Sequence, residues 1–395
     1  MKKGHIVIAG ETYSTNLGDG VIFDALKYLF KQVDPSAIVV PLDITGRKNP
    51  QMNCTQTPDR KKMSMIRFGE KYLGSVYSIL AGAAQYLVVR RRANRQWKPV
   101  LEGASALVIG GGQLLMDNHL GFPVKIMGIA SAAESLGIPI HLCACGVGEY
   151  WSRIARWIFR SVLSGATTVS LRDSLSKARL DSFIPGVSST VTFDPAIWTD
   201  EVYGWEKPQL QKQLIGVGVI NYLDAKLRFS KKVQISEGQW IDMWFAIMQR
   251  LHYRKIPFEI FTNGSPADHE FAAKLSHYAL QWDDAQCSLA ERPLTPADLA
   301  HTISRYSGVI AARLHANIIA NSYSVPSVGI IWDEKVRSYF QHMKRGEYCF
   351  DLENLDPEIL VEKLTYALQQ GMDRYFIERA KEKALLSAQI VLEYA

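Results

Sequence analysis

The sequence predicts an α/β protein with parallel sheets in two domains. Short apolar runs alternate with longer amphipathic stretches along most of the chain, which is the pattern of repeated βαβ units. The chain has 395 residues, of which 47% are hydrophobic, so it can bury a large core and is long enough for two or three domains. We assign residues 1–203 to an N-terminal domain, 204–213 to a polar linker, 214–372 to a C-terminal domain, and 373–395 to a final helix that crosses back to the first domain.

In the N-terminal domain, a strand at residues 6–9 is followed by a polar loop at 11–20 and a helix at 21–30, whose apolar residues recur at helical spacing. The alternation resumes after residue 99. It predicts strands at 106–109, 138–145, 167–171 and 191–193, and helices at 124–136 and 150–163. Pro195 marks the end of this domain.

The C-terminal domain repeats the pattern. Its predicted strands are residues 214–220, 258–262, 286–289, 309–312 and 327–332. Its predicted helices are 240–251, 267–280, 296–306, 314–323 and 357–369, followed by the final helix. Because strand and helix alternate, the sheet is expected to be parallel.

Residues 44–99 break this alternation and form an insert. Residues 72–89 carry no charged side chain, and residues 90–98 then hold five basic side chains and Trp97. Such a segment suits a helix lying on an anionic membrane surface. A helix packed on its own domain explains it equally well, and both interpretations stay open.

The charge and the cysteines limit the partners and the compartment. A net charge of +6 fits an anionic substrate or membrane surface, but it is too small and too dispersed for a nucleic-acid partner. The first apolar run is too short for a signal peptide, and the five cysteines are an odd number, so we expect a cytoplasmic protein without disulfides. Cys143 and Cys145 suit a buried strand better than a metal site.

The most informative stretch is residues 309–335. Arg313 and His315 stand where the strand at 309–312 meets the helix at 314–323. In an open α/β sheet, ligands bind beyond the carboxyl ends of the strands, and a helix N-terminus favours anions. The pair therefore has the chemistry and the expected position to bind a small, multiply charged anion.

Three other motifs follow predicted strands. In the loop Asn16-Leu17-Gly18-Asp19-Gly20, Asp19 is either the N-cap of the next helix, which the spacing favours, or a carboxylate that accepts a proton from a substrate hydroxyl in an interdomain cleft. The triplet at residues 110–112 allows a ligand close to the backbone, or simply a tight turn. Arg172 is either a second anion ligand or a local ion pair with Asp173 beside a helix cap.

Taken together and in order, these motifs resemble the polysaccharide pyruvyl transferases. The resemblance extends from residue 5 to about residue 340 and departs from the family in the insert. It rests on Asn16 to Asp19, Gly110 to Leu115, Arg172-Asp173, Asp194-Pro195-Ala196, Arg313-Leu314-His315, Gly329 and Asp333 to Lys335. The resemblance implies a glycosyltransferase B-like fold with two Rossmann-like domains facing a cleft. It also implies phosphoenolpyruvate as donor and a sugar of a polysaccharide or lipid-linked glycan precursor as acceptor.

The resemblance also implies roles for individual residues. Arg172 and Arg313 are expected to bind the donor's anionic groups, His315 to bind phosphate or transfer a proton, and Asp19 to act as general base or orient the acceptor. Lys335 either adds charge at the donor end or is a surface lysine. Further substrate-binding positions are Asn16 and Gly18, and on the acceptor side Gly110, Gly111, Gly112, Gln113, Asn118 and His119.

We expect no metal and no cofactor apart from phosphoenolpyruvate as co-substrate, because arginine can assist phosphate departure and the chain lacks an Asp-x-Asp motif. Two other functions share the sequence features. A nucleotide-sugar glycosyltransferase would use the same fold, and a non-catalytic glycan or membrane scaffold would release no phosphate.

Overall fold

The computed structural model describes residues 4–47, 86–117, 119–204, 213–226, 235–282 and 286–395. The chain divides into two compact units. The N-terminal unit contains the residues up to Ser14, Ile22–Pro195 and Ala380–Ala395, and the C-terminal unit contains Thr15–Val21 and Ala196–Arg379.

The N-terminal unit is built on a six-stranded parallel sheet in the order β2-β1-β3-β4-β5-β6. Its strands are β1 (His5–Gly10), β2 (Val39–Asp43), β3 (Ala104–Gly110), β4 (Ile140–Cys145), β5 (Thr168–Leu171) and β6 (Thr190–Val191). Its helices include α1 (Leu17–Val33, whose first turn groups with the other unit), α2 (Lys98–Leu101), α3 (Gly121–Glu134), α4 (Arg153–Gly165) and α5 (Ser174–Phe183). Residues 86–92 are also helical and lead through a π-helix, Ala93–Trp97, into α2.

The C-terminal unit has a second six-stranded parallel sheet, in the order β12-β11-β10-β7-β8-β9. Its strands are β7 (Ile215–Gly218), β8 (Phe258–Phe261), β9 (Cys287–Leu289), β10 (Gly308–Ala311), β11 (Ser327–Ile331) and β12 (Cys349–Asp351). The helices in its described part are α6 (Thr199–Tyr203), α7 (Tyr222–Lys226), α8 (Glu237–Tyr253), α9 (Pro266–Ala279), α10 (Pro296–Ser304), α11 (Leu314–Ser322), α12 (Glu334–His342) and α13 (Pro357–Gln370). The last helix, α14 (Arg374–Leu392), groups with the N-terminal unit from Ala380 onward.

The predicted α/β class is confirmed, because both sheets are parallel and covered by helices. Strands β4, β7, β10 and β11 are buried at every position, as expected for a parallel sheet with helices on both faces. Each sheet has one point where the strand order reverses. It lies between β1 and β3 in the N-terminal unit and between β7 and β10 in the C-terminal unit. Loops at the carboxyl ends of these strand pairs border the crevice where such folds bind ligands.

The described part of the predicted insert is residues 44–47 and 86–99, and its residues Ile44, Val89 and Trp97 belong to the buried core of its own unit. Trp97 is 2% exposed, and a Cβ built on Gly128 of α3 would lie 3.2 Å from the Trp97 ring. The idea that Trp97 anchors an interfacial helix is therefore wrong, because the ring is part of the core. Most of the uncharged run, residues 72–85, lies outside the described residues, as does most of the proposed linker, residues 205–212. None of the helices in the described part combines the length and apolar character that crossing a bilayer requires.

Candidate functional site

Arg313 lies at the strand-order reversal of the C-terminal unit, directly after β10 and at the N-cap position of α11. Its Nε and Nη2 atoms donate hydrogen bonds to Oδ2 of Asp268 at 2.8 and 2.5 Å. Nη2 also lies 3.3 Å from Oδ2 of Asp224. These contacts fix the plane of the guanidinium group, and in the described part of the chain no hydrogen bond reaches its Nη1 atom.

Asp268 is the centre of this network and is fully buried in the first turn of α9. Its Oδ1 atom accepts hydrogen bonds from the backbone N–H of Asn221 at 3.0 Å and from the Asn221 side-chain amide at 2.7 Å. Asn221 follows β7, so the network joins the two loops that border the strand-order reversal. Four donor contacts to one carboxylate stabilise its charged form.

The electrostatics of Arg313 reflect these partners. Burial lowers the pKa of Arg313, but Asp268, Asp224 and Asp19 together raise it by more, so the net shift is upward. Burial raises the pKa of the Asp268 carboxyl, and the charge of Arg313 opposes that shift. Arg313 is therefore a permanently charged and firmly oriented donor whose charge is already balanced by carboxylates.

The Asn-Leu-Gly-Asp motif near the N-terminus belongs to the same unit. The backbone N–H of Leu17 donates to the carbonyl of Asn263 at 2.9 Å, after β8. Gly18 packs directly on His315, because a Cβ built on Gly18 would lie 2.5 Å from the His315 Cβ and 2.6 Å from Nδ1. The motif therefore needs glycine at this position because the backbone approaches the histidine too closely for a side chain.

Asp19 lies within the first turn of α1, which begins at Leu17. The prediction that Asp19 is the N-cap is therefore wrong. The Asp19 carboxylate instead accepts a hydrogen bond from the Asn16 amide at 3.2 Å and lies close enough to Arg313 to affect its pKa. The structure thus brings Asn16, Gly18, Asp19, Arg313 and His315 into one neighbourhood.

Lys335 belongs to the first turn of α12, beyond the carboxyl end of β11. Its ammonium group lies 3.3 Å from Asp333 and 4.8 Å from the centre of the Trp332 ring, and the side chain is 12% exposed. The alternative that Lys335 is a surface lysine is therefore wrong. The Trp332 indole donates to the carbonyl of Ala312 at 2.5 Å, which holds this loop against the end of β10.

Arg172 lies in the N-terminal unit at the carboxyl end of β5 and is 5% exposed. Its Nε atom donates to Asp173 at 3.2 Å, and its Nη1 atom lies 3.8 Å from Asp194. Asp173 also caps α5 by accepting from the backbone N–H of Ser176 at 2.7 Å. The local ion pair and the cap that the sequence allowed are both present, and Gly146 packs against the guanidinium group.

The glycine triplet forms the turn after β3. Gly111 and Gly112 adopt φ angles of +69° and +75°, and the carbonyl of Gly112 accepts from the backbone N–H of Gly146 at 2.8 Å. Gln113 follows, and within the described residues its buried Oε1 atom has no hydrogen-bond partner. His119 is half-buried with a φ of 48°, and Asn118 lies outside the described residues.

Sequence reasoning missed Asn221, Asp224 and Asp268, the partners of Arg313. Only Asn221 carried a recognisable signal, because it directly follows the apolar run of β7. Asp268 is 45 positions from Arg313 and looks like an ordinary helix-start aspartate in the sequence.

Known structures share this architecture at low sequence identity. The MnaA–UDP structure from S. aureus aligns with a TM-score of 0.57 and 11% identity, covering 99% of this chain and 95% of that one. UDP-GlcNAc 2-epimerase from Methanocaldococcus jannaschii aligns with a TM-score of 0.55 and 10% identity, covering 99% of both chains. These similarities show a two-domain α/β fold of the glycosyltransferase B type. A comparison with curated proteins gives no significant match. The family model for polysaccharide pyruvyl transferase matches residues 16–334, so the chain belongs to the polysaccharide pyruvyl transferase family.

Proposed function

We propose that the protein transfers pyruvate from phosphoenolpyruvate to two hydroxyl groups of a sugar, as a ketal, and releases phosphate. The sugar belongs to a polysaccharide or to a lipid-linked glycan precursor. The observation that carries the proposal is the neighbourhood of Asp19, Arg313 and His315 at the strand-order reversal of the C-terminal unit. It combines an oriented guanidinium group, an imidazole, a carboxylate and a helix N-terminus, and these can serve an anionic donor and proton transfer.

The reaction balances with these groups alone. Protonation of C3 of the enol turns its CH2 into a methyl group and makes C2 electrophilic. One sugar hydroxyl adds to C2, the C–O bond to phosphate breaks, and a second hydroxyl completes the ketal. Of the two hydroxyl protons, one replaces the proton given to C3 and the other leaves with phosphate.

We assign roles by chemistry and position. Arg313 and the N-terminal N–H groups of α11 bind an anionic group of the donor. His315 binds the phosphate or delivers the proton, and Asp19 accepts a proton from the attacking hydroxyl. Arg172 is assigned to binding an anionic group of phosphoenolpyruvate, and Lys335 to supplying additional positive charge for the same substrate. Asn16 and Gly18 support the loop that leads to Asp19. Residues 110–113, 118 and 119 are assigned to binding of the acceptor sugar.

The test is to incubate the protein with phosphoenolpyruvate and a panel of lipid-linked or nitrophenyl sugars. Phosphate release and the mass gained by the sugar are then measured. Arg313→Ala should abolish turnover through loss of donor binding, whereas Arg337→Ala, which removes an arginine from a surface ion pair of the same unit, should not. If His315→Ala loses donor affinity as completely as Arg313→Ala, proton transfer is not its separate role.

A nucleotide-sugar glycosyltransferase is the alternative, because proteins of similar fold include one whose structure was solved with UDP. It predicts saturable binding of UDP or a guanosine nucleotide and no phosphate release from phosphoenolpyruvate. Calorimetric titration with both ligands therefore separates the two functions.

We also propose that the N-terminal unit contacts an anionic membrane surface through α4. On this helix Trp157 is 67% and Ile154 is 41% exposed, and Tyr150 just before it is 64% exposed. The exposed charged residues of α4 are all basic: Arg153, Arg156 and Arg160. Like charges three and four residues apart repel one another, and exposed aromatic and basic side chains together suit the interface of an anionic bilayer.

A further inference from the structure

The proposed reaction does not use a group of charged side chains in the N-terminal unit. Glu11 directly follows β1, and Asp43 is the last residue of β2. Arg47 lies in the loop after β2, and Lys125 lies on α3, the helix that follows β3. The group therefore surrounds the carboxyl ends of the strands at the strand-order reversal of this sheet, where α/β folds bind ligands. We call Arg47, Arg92 and Lys125 the basic cluster.

Asp43 organises the loop that carries Arg47. Its side chain is fully buried, and its Oδ1 atom accepts from the backbone N–H of Thr45 at 2.8 Å and from the Thr45 hydroxyl at 2.5 Å. Its Oδ2 atom accepts from the backbone N–H of Tyr13 at 3.0 Å and from Nε of Arg47 at 3.2 Å. Nη2 of Arg47 donates to Glu11 at 3.1 Å. Arg47 is therefore fixed in place by ion pairs with both carboxylates of the group, Asp43 and Glu11.

Arg92 lies against the same loop. Its guanidinium group packs on Gly46, where a Cβ would lie only 2.6 Å from Nε, and Gly46 has a φ of +80°. Its Nη1 atom donates to the carbonyl of Ile44 at 3.4 Å. The loop is thus shaped around a guanidinium group that has no carboxylate within ion-pair distance among the described residues.

Lys125 is the third cation and is half-buried. Among the described residues no carboxylate lies within ion-pair distance of its ammonium group, whose nearest recorded partner is the Phe122 ring at 5.1 Å. Burial lowers the pKa of Lys125, and Arg92 and Arg47 lower it further, while Glu11 and Asp43 oppose the shift. A half-buried cation without a carboxylate partner is unfavourable unless an anion binds to it, and such a cation at the carboxyl edge of a parallel sheet is typical of a binding site.

We propose that the basic cluster binds a phosphate or diphosphate group that carries the acceptor sugar. The proposal rests on the proposed function, since the acceptor is then a sugar linked to a lipid or nucleotide carrier. The guanidinium fork of Arg92 and the ammonium group of Lys125, with the ion-paired Arg47 in the adjoining loop, match the several oxygens of a diphosphate. Bound phosphate would also supply the counter-charge that Arg92 and Lys125 lack among the described residues.

The first experiment is calorimetric titration of the full chain with inorganic pyrophosphate. Wild type is expected to bind it saturably, and Lys125→Met and Arg92→Met should each weaken binding at least about tenfold, as loss of one charge-assisted contact does. Lys27→Met is the matched control, because Lys27 is an exposed lysine on α1 of the same unit. Equal affinity in Lys125→Met and Lys27→Met would overturn the proposal.

Unfolding of the ligand-free protein separates binding from a structural role. Lys125→Met should raise the unfolding midpoint, because it removes repulsion and an unfavourable buried charge. At the same concentration, pyrophosphate should then raise the midpoint of wild type by more than that of the variant. If the variant unfolds at a lower midpoint and still responds to pyrophosphate like wild type, Lys125 is a structural residue and the proposal is wrong.

Two further arms identify the carrier and keep this inference apart from the proposed function. Displacement of pyrophosphate by farnesyl diphosphate supports a lipid carrier, displacement by UDP a nucleotide carrier, and displacement by neither contradicts an acceptor diphosphate. Phosphoenolpyruvate affinity should be unchanged in Lys125→Met, and its loss would make the cluster a donor site instead. If pyrophosphate binds as expected but phosphoenolpyruvate is never turned over, the proposed function fails while the anion site stands.

Discussion

The contact between Gly18 and His315 makes the prediction that bears most directly on the site. Replacing glycine by alanine inside a helix ordinarily stabilises it by about 1 kcal/mol. At Gly18 the new methyl carbon would lie 2.5 Å from the His315 Cβ, far inside the normal contact distance of about 3.5–4.0 Å. Overpacking of this kind costs about 1–3 kcal/mol. We therefore expect Gly18→Ala to lower the free energy of unfolding by up to about 2 kcal/mol and to reduce turnover by displacing His315.

Urea denaturation and the phosphate-release assay measure the two effects. Gly121→Ala is the control, because Gly121 begins α3 and a Cβ there meets nothing within 4 Å. In a His315→Gly background the clash is gone, so Gly18→Ala should become neutral or stabilising. The predicted clash is contradicted if Gly18→Ala behaves like Gly121→Ala in both assays, or if its stability cost persists in the His315→Gly background.

Three further predictions test other parts of the structure. Burial lowers the pKa of His141 to about 4 from 6.5, so the unfolded chain alone takes up a proton as the pH falls below 6.5. Stability should therefore drop by about 2 kcal/mol between pH 7 and pH 5, and urea titrations of His141→Leu should lack that component. Asp268→Asn removes the buried carboxylate partner of the Arg313 guanidinium and leaves only the partly exposed Asp224, so it should cost about 3–5 kcal/mol, measured by urea denaturation. The same change in the partly exposed pair of Glu334 and Arg337, Glu334→Gln, should cost under about 1 kcal/mol, and equal costs would contradict the buried ion pair. Trp157→Ala should reduce co-sedimentation with vesicles containing phosphatidylglycerol, whereas Tyr375→Ala, which removes an aromatic ring that is 72% exposed, should not.

The fold was largely predictable because its strands are buried on both faces and so appear as unbroken apolar runs. Strands β2 and β12, each at one edge of its sheet, were not predicted. β2 contains Pro41, which an edge strand tolerates but which makes the segment look unlike a strand in the sequence. β12 has only three residues. Helix α12 was not predicted, although its apolar residues Val336, Tyr339 and Phe340 recur at helical spacing.

The site was predictable only where a motif follows a strand. Arg313 and His315 were found because a basic pair at a strand-to-helix junction must lie at the carboxyl edge of the sheet. The carboxylate partners of Arg313 lie on helices that are distant in the sequence, and no local sequence pattern predicts them. The role of Gly18 was likewise not predictable. In the sequence it resembles an ordinary turn glycine, and only the structure shows that it packs against His315.

The two anion sites that we propose depend on different physics. Arg313 is balanced by Asp268 and lies near Asp224, so it adds little net attraction for an anion. Its contribution is a guanidinium plane held in one orientation, which favours a ligand of the right shape over any other anion. The basic cluster has the opposite design, because Arg92 and Lys125 have no carboxylate within ion-pair distance among the described residues. Binding at the cluster therefore draws on net charge and weakens with salt, whereas donor binding at Arg313 draws on geometry.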